Sequence, residues 1–107
     1  MECIARFVEN QDMKQLRAAA DQLTQEHKTL LFIVGSSVKG NGVFVVKYGK
    51  KCTLNSLSAK VVMELILEES GGKGGGRQDM AQAGGCDPEK LSQAMATIIQ
   101  KVQKEFQ

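Results

Sequence analysis

Between Gly71 and Gly76 the chain reads GGKGGG, followed by Arg77: five glycines and two cations in seven residues. Such a stretch has almost no side chain to bury, so whatever core the chain builds must come from the residues on either side of it. Glycine also tolerates the left-handed conformation found past helix ends, so the run predicts the end of a preceding helix. It lets backbone N–H groups converge on an anion and a polyanion come close, while Lys73 and Arg77 supply charge and, for arginine, a planar fork suited to phosphate. Two nucleotide motifs are excluded by spacing. A phosphate-binding Walker loop needs Gly-Lys followed by Ser or Thr and runs from a strand into a helix. Here Gly72-Lys73 precedes Gly74, and a helical pattern comes before the run. A dinucleotide fingerprint needs glycine at i, i+2 and i+5, and the third place falls on Arg77 or Asp79.

The flanking text is patterned for both helix and strand. Cys3 to Val8 suits a first strand. Asp12 and Gln15 have capping-box spacing, and Met13, Leu16, Ala20 and Leu23 stripe a helix from about Met13 to Glu26. The unbroken run Thr29 to Val34 (TLLFIV) fits a strand covered on both faces. Gly35-Ser36-Ser37 and Gly40-Asn41-Gly42 carry turn chemistry and bracket an expected connection to a second, paired strand from Gly42 to Tyr48. A largely apolar helix follows from Leu57 to about Glu69, with Asn55 or Ser56 as its cap. Met80 to Ala83 suits a short strand. Asp87, Pro88 and Glu89 open a last helix whose stripe runs Leu91, Met95, Ile98, Val102 and Phe106. The predicted class is α/β, a small mixed sheet flanked by helices in the order β-α-β-β-α-(β)-α, forming one domain over residues 1–107.

Composition narrows the function classes. The chain has 107 residues, 42% of them apolar, and a formal net charge of only +2. That charge excludes a highly basic arm and makes any nucleic-acid contact local. Three cysteines, Cys3, Cys52 and Cys86, far apart and without a C-x-x-C pair, signal neither a disulfide framework nor a zinc ribbon. Reduced thiols in a cytoplasmic protein are expected, with no metal ligands and no catalytic residues. No stretch is apolar enough to span a membrane, and no signal peptide is read at the N-terminus. The sole histidine, His27, lies at a predicted helix end. Lys50 and Lys51, with Lys39 and Lys47 nearby, are candidates to extend a basic track, whereas Lys14 and Arg17 read as an ordinary solvated helix face.

The fifteen residues GGKGGGRQDMAQAGG resemble the signature of the C-terminal, DHHA1-type domain of alanyl-tRNA synthetases, and the order of strands and helices agrees from Cys3 to Phe106. In bacterial members of that family the position of Gln78 is commonly Pro, which predicts a less rigid turn here. The related DHH phosphoesterases carry His after the glycine run, where this chain has Arg77, which favours the synthetase branch. The resemblance implies a non-catalytic domain that holds the elbow of alanine tRNA and helps couple aminoacylation with editing. Its implied contacts are Gly71, Gly72, Lys73, Gly74, Gly75, Gly76, Arg77 and Gln78; Lys50 and Lys51 join them as tRNA-binding candidates from their charge alone. It further implies that the parent enzyme, not this domain, uses ATP, Mg and Zn, and that the domain's partners are tRNA and the catalytic and editing domains. A monomer is expected for the isolated domain. Two alternatives remain at this stage: the same domain on a free-standing alanyl-tRNA editing protein, or the substrate-binding domain of a DHH phosphoesterase.

Overall fold

A computed structural model describes residues 2–52 and 57–105. Five strands and three helices follow one another as β1 (Glu2–Glu9), α1 (Met13–Glu26), β2 (Leu30–Val38), β3 (Asn41–Tyr48), α2 (Ala59–Ser70), β4 (Lys73–Gly76), β5 (Met80–Cys86) and α3 (Pro88–Glu105). They form one mixed sheet in the order β1-β2-β3-β5-β4. β1 runs parallel to β2, and every other pair is antiparallel. The parallel pair is joined through α1, as parallel neighbours require a crossover.

Helices cover the sheet on both faces, and the alternation of β2 explains how. Leu30, Phe32 and Val34 pack with Val45 against Leu16 and Ala20 of α1. Leu31 and Ile33 point the other way and join Phe44, Val46, Val62, Ile66, Leu91, Met95 and Ile98 in the larger core under α2 and α3. An unbroken apolar run is what a strand buried on both faces demands.

Local signals account for the helix ends. The Asp12 carboxylate accepts from Gln15 N at 2.8 Å, and the Gln15 side chain accepts from Asp12 N at 2.8 Å, closing the expected capping box. Asp87 accepts from the N–H groups of Glu89 and Lys90 at 3.0 and 3.2 Å, ahead of the first-turn Pro88. α2 begins later than the sequence pattern predicts. Ser58 is its cap, accepting from Val61 N at 3.2 Å, and Leu57 precedes the helix with its carbonyl held by the Tyr48 hydroxyl at 2.6 Å. The two caps expected from sequence, Asn55 and Ser56, lie outside the described residues, as does Phe106.

Three further differences concern strands. Gly35, Ser36 and Ser37 are not a turn but the continuation of β2. Ser36 is buried, and its hydroxyl accepts from Gln11 N at 2.9 Å, so the polar side chain is satisfied inside the sheet. The β2–β3 connection is only Lys39 and Gly40, both at positive φ (52° and 81°), as a tight hairpin turn requires. β5 extends to Cys86, beyond Ala83. Finally, the glycine run contains a strand, β4, which raises the strand count from four to five.

Candidate nucleic-acid interface

The site is built from the end of α2 outward. Gly71 terminates the helix at φ 72°, and its N–H still reaches Leu67 O at 2.9 Å. The chain then doubles back as β4, pairing Lys73 with Gly84, Gly74 with Ala83, Gly75 with Gln82 and Gly76 with Ala81. All residues from Gly71 to Asp79 are exposed.

This geometry corrects one expectation. A run of N–H groups converging on an anion needs alternating backbone conformations, whereas Lys73–Gly76 is extended and pairs along a ladder with β5. As the last strand of the sheet, β4 turns one side of its backbone outward, and those donors are spaced in a row. Lys73 and Arg77 stand at opposite ends of that row, roughly 13 Å apart by strand rise. The two cations are therefore borne on backbone positions separated along the edge and not clustered on one turn.

The turn after β4 is closed on itself and tied to the body of the domain by backbone bonds. Arg77 N donates to Met80 O at 2.7 Å, and Tyr48 N donates to Asp79 O at 2.9 Å. At the start of α2, Ala59 N donates to Gln78 O at 2.8 Å and Lys60 N to Arg77 O at 3.2 Å. The first N–H groups of a helix lack partners within it, and here the hairpin turn supplies two acceptors. Gln78 holds the turn through its carbonyl, which a proline at this position would also possess. A glutamine here consequently keeps the anchor that fixes the turn.

The other predicted site residues are only partly brought together. Lys50 and Lys51 are exposed in the turn after β3, where Lys51 N donates to Lys28 O at 2.9 Å. Lys50 shares a cavity with Asp79 of the hairpin turn, so it adjoins the glycine element. Lys47 lines that cavity too, and its ammonium is paired with Asp21. Lys39 sits in the β2–β3 turn, at the opposite end of β3 from Lys47. Sequence reasoning missed Asp79 and Lys28, which join Lys50 only through the fold.

The remaining candidates are structural in character. Cys86 is buried, and burial pushes its thiol up, only partly offset by a hydrogen bond with Ser70. That is the reverse of a reactive thiol, which needs a lowered value and access. Burial likewise raises Cys3 and Cys52. His27 is exposed at the end of α1, its N–H bonded to Leu23 O at 2.9 Å. Among the described residues no group of three or more His, Cys, Asp or Glu is placed to hold a metal ion, and no helix is long and apolar enough to cross a membrane.

The chain matches the DHHA1 domain family over residues 1–104. It is 35% identical over 102 residues to the alanine–tRNA ligase of Ralstonia nicotianae, covering 95% of this chain and 11% of the relative. The ligase of Leptospira interrogans is 33% identical over 101 residues, covering 94% and 10%. The ligase of Nitrosomonas europaea is 35% identical over 103 residues, covering 96% and 12%. The chain thus spans about a tenth of the length of these relatives. Among solved structures, the C-Ala domain of Aquifex aeolicus alanyl-tRNA synthetase superposes with a TM-score of 0.80 at 28% identity, over 92% of this chain and 87% of that one. The family match, the relatives and the superposition agree, and the chain belongs to the DHHA1 domain family, in the form that alanyl-tRNA synthetase carries as C-Ala.

Proposed function

We propose that this chain is a tRNA-binding, non-catalytic module of a cytoplasmic alanine–tRNA ligase, holding the outer corner of alanine tRNA so that charging and editing act on one bound molecule. The observation that carries this reading is the joint one: likeness to a C-Ala domain over 92% of the chain, and an exposed glycine edge strand flanked by Lys73 and Arg77. A strand without side chains lets a ribose-phosphate backbone approach the outward N–H groups, with a cation at each end of the contact. Adenylate formation, charging and the metal-dependent steps, with ATP, Mg and Zn, then belong to other domains of the parent enzyme. All three relatives named above are ligases, which favours this reading over a free-standing editing protein or a phosphoesterase.

The test is fluorescence anisotropy of labelled alanine tRNA over a salt series, with a non-cognate tRNA and an RNA duplex for comparison. Recognition by shape predicts binding to both tRNAs and weak binding to the duplex. Replacing Lys73 and Arg77 with Ala should lower the log–log salt slope by roughly one unit per lost phosphate contact. Unchanged affinity and slope in that double variant would make the hairpin structural and end its assignment as an RNA contact.

A further inference from the structure

A concave site lies beside the hairpin. It is a cavity of about 440 Å³ where the end of α1, the end of β3 and the hairpin turn meet. Lys28, Lys47 and Lys50 line it together with Tyr48 and Cys52, and Asp79 is the one carboxylate in its wall. Its frame is main chain: Gly49 N donates to Leu30 O at 2.8 Å, Lys51 N to Lys28 O at 2.9 Å, and Tyr48 N to Asp79 O at 2.9 Å. The Tyr48 hydroxyl is already committed to Leu57 O at 2.6 Å. Thr24 also lines the cavity, and its hydroxyl donates to Ala20 O at 2.7 Å. Polar recognition therefore falls to the lysines, Asp79 and the Gln25 amide, which is also in the wall.

Charge selects the ligand class. Among the described residues Lys47 is paired with Asp21, while Lys28, Lys50 and Asp79 enter no ion pair. A bare phosphate would meet Asp79 as well as the lysines, and like charges repel. A ligand that suits the whole cavity has an anionic end and, apart from it, an edge of hydrogen-bond donors. A nucleotide has both, and the volume lies in the range of small-ligand sites. The two oxygens of a carboxylate match two adjacent donors. Guanine offers such a pair in its N1–H and 2-amino group, whereas the other three bases offer one donor group on that edge. We propose that this cavity receives a single unstacked guanosine nucleotide, with its phosphate on Lys28 and Lys50 and its base edge on Asp79. The nucleotide comes either from the RNA chain or from the free pool, and its RNA source rests on the function proposed above. Unstacked bases are the usual carriers of sequence information in RNA recognition.

The 107-residue chain, labelled with ¹⁵N, is titrated with the four nucleoside 5′-monophosphates and with single-stranded RNA tetramers that differ in one base. Saturable shifts are expected at the amides of Lys28, Gly49, Lys50 and Asp79, with the guanine ligand roughly tenfold tighter than the others. K28A/K50A should weaken all bases alike, by roughly tenfold. D79N should remove the preference for guanine and leave the phosphate-driven binding. Because the frame uses the Asp79 carbonyl and not its carboxylate, D79N should fold. A merely structural Asp79 would change the melting temperature without reordering the bases. Response to the tetramers alone assigns the site to RNA, and response to the monophosphates as well admits the free nucleotide; both support the proposal. No shift at these amides with any ligand, or a base ranking unchanged in D79N, would overturn it. The hairpin variant K73A/R77A keeps the two readings apart. Unaltered tRNA affinity in it defeats the hairpin assignment while leaving the monophosphate titration to report on the cavity.

Discussion

At the scale of single residues, the glycine run is not uniform. A Cβ at Gly76 would lie 2.4 Å from the Ala81 Cα, and one at Gly74 would lie 2.3 Å from the Gln82 carbonyl oxygen. These two glycines let β4 lie close along β5. A Cβ at Gly75, by contrast, meets nothing within 4 Å, and its φ is not positive. Neither packing nor backbone conformation requires glycine there. Gly76→Ala is expected to lower stability in urea melts by about 1–3 kcal/mol, and Gly75→Ala by less than about 0.5 kcal/mol. If Gly75→Ala weakens tRNA binding while its melt is unchanged, its bare backbone serves the ligand; equal tRNA affinity would leave the residue without a role in either. What was legible at this scale was local chemistry: the Asp12–Gln15 box and the Asp87 cap follow from spacing alone. The roles of Asp79 and Lys28 were not legible, because their proximity to Lys50 depends on how α1, β3 and the hairpin are folded together.

At the scale of elements, the helices could be read because their apolar stripes repeat with the helical period. β4 could not. Glycine is depleted in strands and offers no side-chain alternation to read, and the register of Lys73–Gly76 comes wholly from its partner β5. The same reasoning explains Gly35–Ser37, whose turn-like composition is overridden by pairing with β1 on one side and β3 on the other. An edge strand with four exposed residues and one partner has little but its ladder to hold it. Hydrogen exchange should therefore find β4 amides opening by local fluctuation, well before those of β2 and β3, which open only with the whole domain. Bound tRNA should slow the β4 amides selectively. Uniform protection across the sheet in the free protein would contradict this picture of a loosely held edge.

At the scale of the whole molecule, two cores share one sheet, a smaller one under α1 and a larger one under α2 and α3. Its overall layering was legible from the doubly buried run in β2. The acid–base behaviour of the whole was not, because it depends on burial. Cys3, Cys52 and Cys86 all have thiols raised above the ordinary 9.0, and desolvation is the main cause in each. Tyr48 is held up from 10.0, again chiefly by burial. The unfolded chain therefore releases these protons first, so ionisation favours unfolding. Stability should be indifferent to these groups below about pH 9 and fall as pH rises beyond it. Urea midpoints between about pH 7.5 and 10.5 check this, and a flat profile across that range would mean the thiols and the phenol ionise as easily folded as unfolded. The pairing of α2 with β4 has one more consequence. The helix starts at the hairpin turn, where Gln78 and Arg77 accept its first N–H groups, and ends at Gly71, where the glycine strand sets out on its return. Its 12 residues rise about 18 Å, and the return by way of β4 and the hairpin turn closes the same span. The helix is thus a ruler laid beside the strand, and its length in turns fixes how far along the domain's edge Arg77 is carried.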